Sequence, residues 1–460
     1  MRPDNHIKYL KLREHHPVFT YENYSFRQKN GSLELEFEFT AGDHFVFRPA
    51  WKINLPGSLM NDRELDDVDA MVFHIGLIEM LSYWKAFCSP VIRVKGYSLT
   101  DKQQEWWIKL FRYGLGEFFY TNGIPLPGDD LLRFQFDDNA QPLPSKISSR
   151  IDRKSVIVPV GGGKDSIVSL ELLKNAGKEI VPFVVNPRKT TDNVLETAGF
   201  SLQESIIVHR SIDPLLLDLN SQGFLNGHTP FSALLAFAAV LVAQLSGIAD
   251  IALSNESSAN EASIPGTKIN HQYSKSVEFE KDFRSYVDEY MGDHLNYFSL
   301  LRPLNELQIS AMFARYKQHH PVFRSCNAGS KQDIWCCKCS KCLFTFVMLS
   351  PFLPGDDLIR IFGTNLFDDV SLVGTLEALS GITPEKPFEC VGTLEEVNVA
   401  LCYAIRGLEA NNEPLPVLLA HYQKSSMFEA YKDRSIEEYL GTFNEEHFVP
   451  KRYLPLMERG

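Results

Sequence analysis

Positive charge is what this sequence has least of: 46 Lys and Arg stand against 58 Asp and Glu, a formal net charge of −12 over 460 residues. A general nucleic-acid binder carries a basic face into that balance, so nucleic acid is not the expected partner. A small anion held by a few local cations remains open. No apolar leader is visible either, because the opening residues MRPDNHIKYLKLREHHP are charged throughout. Residues Leu219 to Ala249 contain no Asp, Glu, Lys or Arg, yet their apolar heart, PFSALLAFAAVLVAQLSGI, is broken by Ser232, Gln244 and Ser246. Spanning a bilayer takes roughly 20 apolar residues, so a buried Ala-rich helix is expected, with no membrane partner and a cytoplasmic location. Cysteine is sparse and uneven: five of the eight lie within 17 residues. That distribution does not suit a disulfide scaffold.

What is present is the composition of a soluble globular protein, 44% hydrophobic and 23% charged. The length predicts two or three packed units. Residues 1–150 read as an α+β domain. Asn30-Gly31 sits between two alternating runs, with Leu33, Leu35, Phe37 and Phe39 facing one way, the strongest short hairpin signal. Helical patterns follow at 67–87 and, opening near Thr100-Asp101, at 101–119. The polar, Pro- and Ser-containing stretch 137–154 is the best boundary. Beyond it SVIVPV, EIVPFVV, SIIVHR and ADIALS read as strands separated by helical segments, which predicts a parallel, doubly wound sheet over 151–350. Residues 351–460 look mainly helical. LPGDDLLRF (126–134) and LPGDDLIRI (353–361) resemble one another, a likeness read as chance.

The first of those strands runs into VPVGGGKDSIVSLELLK. A Walker loop needs G-x-x-x-x-G-K-[ST], but Lys164 is followed by Asp165, and Val158 stands where the first glycine belongs. The Rossmann spacing fails at Ser166. Phosphate is still favoured: three glycines let successive N–H groups converge on an anion, and a helix beginning at Ser166 adds its positive end. Asp165 and Ser166 can hold an accompanying Mg2+ or orient the loop. A strand–helix turn without a ligand is the plainer reading. It needs one glycine, not Gly161, Gly162 and Gly163 followed by Lys164-Asp165-Ser166. That segment resembles the S-G-G-x-D-S loop of the PP-loop ATP pyrophosphatases, with Gly161 in place of the usual serine. The resemblance implies a PP-loop (HUP-like) fold, ATP cleaved between its α- and β-phosphates, a substrate oxygen activated as an adenylate, and adenine near Val185 and Asn186.

The cysteine cluster RSCNAGSKQDIWCCKCSKC places Cys336, Cys339 and Cys342 three apart, with Cys326 ten residues upstream. Four thiolates at this spacing suit a closed, structural Zn2+ site, and Cys337 is then spare. A redox pair or an iron–sulfur cluster is the alternative. The cluster resembles the zinc loop of the PP-loop enzymes that make cyano-deazaguanine.

Between loop and cluster, LSNESSANEASIPGTKINHQYSKSVEFEKDFRSYV is dense in polar groups. Asn255, Glu256 and Asn260 are expected at the ligand edge, and His271, Lys275 and Glu278 fall on one face if a helix starts near Asn270. A solvated loop and cap is the plain alternative. The order VGGGKDS, NGHTPFSALLAFAA, SNESSANE, NHQYSKSVEFE, FRSCN and WCCKCSKC resembles one narrower family. These are the ATP-dependent epimerases acting on UDP-N-acetylmuramoyl-L-alanyl-L-glutamate in peptidoglycan synthesis, and the likeness spans about 155–355. It implies inversion of the terminal L-glutamate, with a UDP-muramoyl dipeptide as the small-molecule partner. Activating the α-carboxylate removes a negative charge that opposes carbanion formation. His271 and Lys275 are then the candidate bases, with Glu278 and Glu256 behind them and Asp165 beside the reacting phosphates. Asn255, Asn260, Gln272, Lys268, Arg284 and Arg324 are candidate substrate contacts. An amide- or nitrile-forming PP-loop ligase, a tRNA sulfur-transfer enzyme and a nucleotide-sensing zinc-loop module are the rivals.

Overall fold

A computed structural model of the chain describes residues 3–29, 31–57, 65–144, 152–292 and 294–457. Asn30 of the expected hairpin turn, and residues 145–151 of the expected boundary, lie outside the described residues. The hairpin strands themselves, Val18–Lys29 and Ser32–Ala41, pair antiparallel with Lys29 opposite Ser32. Leu33, Leu35, Phe37 and Phe39 are all buried. Period-2 alternation puts them on the core side.

Five parallel strands form one half of the central sheet, in the order Asn296–Ser299, Ile248–Leu253, Asp152–Pro159, Glu179–Val185, Ile206–Ser211. The strand Asp152–Pro159 shows why they are central. Val156 and Val158 enter one hydrophobic core while Ile157 enters the other, so a short apolar run is buried on both faces. Helices Lys164–Asn175 and Glu306–Arg315 pack in the core with Val156 and Val158. Leu65–Trp84 and the Ala-rich Phe231–Ser246 pack in the core with Ile157. Among the described residues no helix is long and apolar enough to cross a membrane.

The sheet does not stop at residue 150. Ala50–Asn54 pairs antiparallel with Ile206–Ser211, and through it the N-terminal strands extend the same 11-stranded sheet. The expected parallel sheet is thus one half of a mixed one, and the composition break at 137–154 is not a break in the fold. The reason is an unpaired edge: the parallel half would expose Ile206–Ser211, and a neighbouring strand satisfies its backbone groups. Among the described residues the C-terminal region is helical, with Gly355–Phe362, Val373–Ser380, Leu394–Ala410 and several shorter helices.

One expected element differs. No helix starts at Asn270: Tyr273–Lys275 is a single 3₁₀ turn, and the α-helix runs from Val277 to Tyr290 with Ser276 as its cap. Ser276 Oγ accepts from Phe279 N at 3.2 Å, so the serine that reads as mid-helix in the sequence instead starts one. His271, Lys275 and Glu278 therefore do not share a helical face.

Candidate active site

The strand Asp152–Pro159 is followed in chain order by Glu179–Val185 on one side, while Ile248–Leu253 lies on the other. Between two such strands their departing connections diverge and leave a crevice at the carboxyl ends, where open α/β sheets bind ligands. A cavity of about 360 Å³ opens there, lined at its base by Pro159 and Leu253.

The glycine loop forms one wall. Gly162 has φ +87°, and a Cβ there would come 2.8 Å from Thr190 Cγ2. Both the left-handed backbone and the close approach demand glycine. Among the described residues nothing stands within 4 Å of where a Gly161 Cβ would sit, so the missing serine is not excluded by packing. Gly163 caps the helix Lys164–Asn175, whose N-terminus faces the cavity through Asp165 and Ser166. Ser166 Oγ donates to Gly163 O at 2.9 Å. Lys164 turns inward and is buried in ion pairs with Asp165 and Glu306. Burial alone would discharge the ammonium, but the two carboxylates hold it protonated. Burial raises the Glu306 carboxyl above its ordinary value, and Lys164 beside it opposes that rise. Asp165, Glu256 and Glu306 bring carboxylate oxygens within 4.8 Å of one another. Only Asp165 of the three lines the cavity.

Cations line the remaining rim. Arg188 reaches Gly161 O at 3.4 Å. Arg324 donates its backbone N–H to Gly162 O at 3.0 Å, and its buried Nε has no hydrogen-bond partner among the described residues. Two guanidinium groups beside a glycine loop and a helix N-terminus are a donor set for phosphate.

The opposite wall is built from segments far apart in the chain. Lys275 Nζ hydrogen-bonds Cys390 Sγ at 3.2 Å, and the His271 ring stands close enough to favour charge on the same sulfur. His271 Nδ1 is hydrogen-bonded to Glu117, whose carboxylate also lies 3.3 Å from His228 Nδ1. Lys341 Nζ donates to Cys390 O. Burial opposes ionisation of the Cys390 thiol, but Lys275, His271 and Lys341 bring it down to about 6. Burial likewise opposes the His271 imidazolium, and hydrogen bonds to Cys390 and Glu117 raise it to about 9. Fully buried Arg302 fixes this wall from behind, donating to Glu256 O at 2.5 Å and to Lys275 O, with Glu280 as its counter-ion at 3.1 Å.

The expected site residues divide accordingly. Gly161, Gly163, Asp165, Ser166, Asn255, Lys275 and Arg324 line the cavity; His271 stands behind Cys390. Asn255 is tied to Ser299 Oγ at 3.0 Å. Glu256 is buried under the loop, accepting from Ser258 at 3.2 Å, and Gln272 donates to Val391 O at 3.3 Å. Asn186, with φ +49°, exchanges hydrogen bonds with the Arg210 backbone, and neither it nor Val185 is part of the lining. Asn260, Lys268 and Glu278 line a separate surface pocket, where Glu278 pairs with Lys109 at 2.5 Å. Arg284 donates to Tyr297 O. Sequence reasoning missed Cys390, Lys341, Arg188 and Glu117. Cys390 carried one usable signal, as a cysteine standing well outside the cluster.

The four clustered sulfurs converge. Cys326, Cys336, Cys339 and Cys342 place every Sγ within 4.8 Å of the others, with contacts of 3.5, 3.8 and 3.9 Å. A tetrahedron with Zn–S of about 2.3 Å has sulfur–sulfur edges of roughly 3.8 Å, so the set could hold such an ion. Cys337, at φ +56°, turns its sulfur to Phe362 O at 3.3 Å and away from the others.

Two family models match the chain, the MurL N-terminal domain over residues 11–300 and the MurL C-terminal domain over 322–432. The chain belongs to the MurL family. Relatives of the family named UDP-N-acetyl-alpha-D-muramoyl-L-alanyl-L-glutamate epimerase include one from Salinispora tropica, 34% identical over 88% of this chain and 88% of its own. Another, from Xanthomonas oryzae pv. oryzae, is 37% identical over 71% and 72%. One from a Micromonospora species is 34% identical over 84% and 86%. No solved structure matches. The two MurL models meet between residues 300 and 322, and the cavity draws Lys275 from the first and Cys390 from the second.

Proposed function

We propose that this chain is an ATP-dependent epimerase that inverts the terminal L-glutamate of UDP-N-acetylmuramoyl-L-alanyl-L-glutamate to D-glutamate for peptidoglycan synthesis. The observation that carries the reading is a glycine loop, a helix N-terminus, Arg188 and Arg324 sharing one cavity with Lys275 and Cys390, in a chain of the MurL family. ATP is the co-substrate, and acyl-adenylate formation with release of pyrophosphate is the proposed activation. The amides at the start of Lys164–Asn175 and the Arg188 and Arg324 guanidinium groups would hold the phosphates. Asp165 would hold Mg2+, which supplies charge neutralisation there.

Converting the α-carboxylate to a neutral acyl group removes a charge beside the proton to be lost. The carbonyl oxygen can then accept electron density near Lys275 and Lys341. Zn2+ on the four cysteines would serve structure alone, since four sulfurs leave no open position; zinc content of about one equivalent, lost in Cys339→Ser, checks it. The function is tested by incubating the protein with ATP, magnesium and the UDP-muramoyl dipeptide. AMP and D-glutamate are the expected products, whereas ADP or unchanged configuration would sink the reading. Incorporation of ammonia into the product would favour the amide-forming ligase instead.

A further inference from the structure

Epimerisation needs a base, and the sequence offers His271 and Lys275 first. The charges around the two argue against both. His271 is held as an imidazolium between Glu117 and Cys390, and Lys275 stays protonated because, against burial, Cys390 and Glu256 favour its charge. A group that keeps its proton at neutral pH cannot take another. Glu278 faces a different pocket, and Glu256 lies beneath the loop. The wall also carries a thiol. Cys390 lines the cavity opposite Gly161, Gly163 and Asp165, outside the four-sulfur cluster, and receives a hydrogen bond from Lys275 Nζ at 3.2 Å.

We infer that Cys390 Sγ is the base that takes the α-proton of the activated glutamate, as a thiolate held between His271 and Lys275. Nucleophile–base–orienter geometry of this kind, with Glu117 fixing the imidazole, charges a cysteine without asking the cysteine to attack carbon. In the step, the Cα–H bond breaks and the proton passes to sulfur, while the bonding pair moves into the Cα–C bond and leaves an enolate oxygen. Water protonates the opposite face of Cα, restoring the carbonyl, and the hydroxide left behind takes the proton back from the thiol. Hydrolysis then releases the inverted residue. His271 and Lys275 are positioning residues: they set the charge on sulfur and do not touch the migrating proton. The charged groups facing Cys390 are His271 and Lys275 from the 271–275 turn, Lys341 from the helix Ser340–Leu349, and its neighbour Glu389. Glu117 and His228 stand behind His271, and Glu256 and Asp165 beyond Lys275.

The inference rests on the proposed activation, so the two are tested separately. Pyrophosphate exchange into ATP, dependent on the dipeptide, reports activation, and α-deuterium uptake from D2O reports proton transfer. Cys390→Ser should lose α-deuterium uptake and inversion by about 10³-fold while dipeptide-dependent exchange persists. Wild-type deuterium uptake in Cys390→Ser would overturn the thiolate, whereas absence of exchange in the unaltered protein would overturn activation. Lys275→Met should move the acidic limb of the rate–pH profile upward by at least about one unit, an effect that lost packing alone does not produce. Should Cys390→Ser not fold, the wild-type protein carries the test. Iodoacetamide should alkylate Cys390 with half-maximal rate near pH 6, abolish inversion in step, and be blocked by ATP with the dipeptide. Full inversion after stoichiometric alkylation of Cys390 would defeat the assignment.

Discussion

The two walls of the cavity are built in opposite ways. Gly161 to Ser166 is one contiguous run, delivered by a strand and fixed by the start of a helix, so its shape is local. The facing wall joins Glu117, His271, Lys275 and Cys390, with Glu117 154 positions from His271 and Lys275 115 positions from Cys390. A local wall can be read from letters. A wall assembled across the chain depends on buried struts, and Arg302 is the chief of them.

That difference can be broken experimentally. Arg302→Met should cost the most, about 3–5 kcal/mol, because it leaves Glu280 as an unpaired buried carboxylate and frees the Lys275 backbone; chemical denaturation measures the loss. Glu280→Gln/Arg302→Met together should recover part of it, which a purely catalytic role for Arg302 would not allow. On the local wall, Gly162→Ala should lower ATP-dependent turnover by about 10²-fold, since a left-handed non-glycine costs roughly 1–3 kcal/mol before the Thr190 clash is added. Gly161→Ser, one residue earlier, has open space and should change turnover less than about threefold. Equal effects of the two substitutions would contradict the loop geometry.

The long-range wall should also set the pH dependence. The Cys390 thiol, lowered from 9.0 to about 6, contributes stability that is complete above its ordinary value and lost as pH falls through about 6. His271, raised from 6.5 to about 9, contributes stability complete below its ordinary value and lost as pH rises through about 9. Both charges coexist between those limits, so inversion should peak there and fall about tenfold per unit beyond each side. An activity profile flat from pH 5 to 10 would exclude the pair. The smallest effect belongs to Glu278→Gln. Its half-exposed bond to Lys109 is of the kind worth about 0–1 kcal/mol, and turnover should stay within about twofold.

Legibility followed the same division. The strand SVIVPV, the glycine loop, the Ala-rich helix and the converging cysteines each announce themselves over fewer than about 20 residues, and local sterics or chelate spacing suffices to interpret them. Asn255 and Lys275 could be placed because they follow a recognisable strand. Glu278 and Arg284 could not, because Ser276 starts a new helix and turns both side chains toward other partners. Cys390 lies in the irregular stretch between Val373–Ser380 and Leu394–Ala410, where no periodicity fixes direction.

The paired phrases LPGDDLLRF and LPGDDLIRI make the limit concrete. Leu126–Phe134 is a turn leading into the strand Arg133–Phe136, whereas Gly355–Phe362 is a helix. The sequence by itself determined where backbone must bend, which runs are buried, and that four thiols sit within chelating reach. Only the tertiary structure decided that one sheet crosses residue 150, that Lys164 faces inward, and that Cys390 meets His271 and Lys275. Those outcomes depend on which distant surfaces exclude water together, and burial of that kind is not encoded in any single window of the chain.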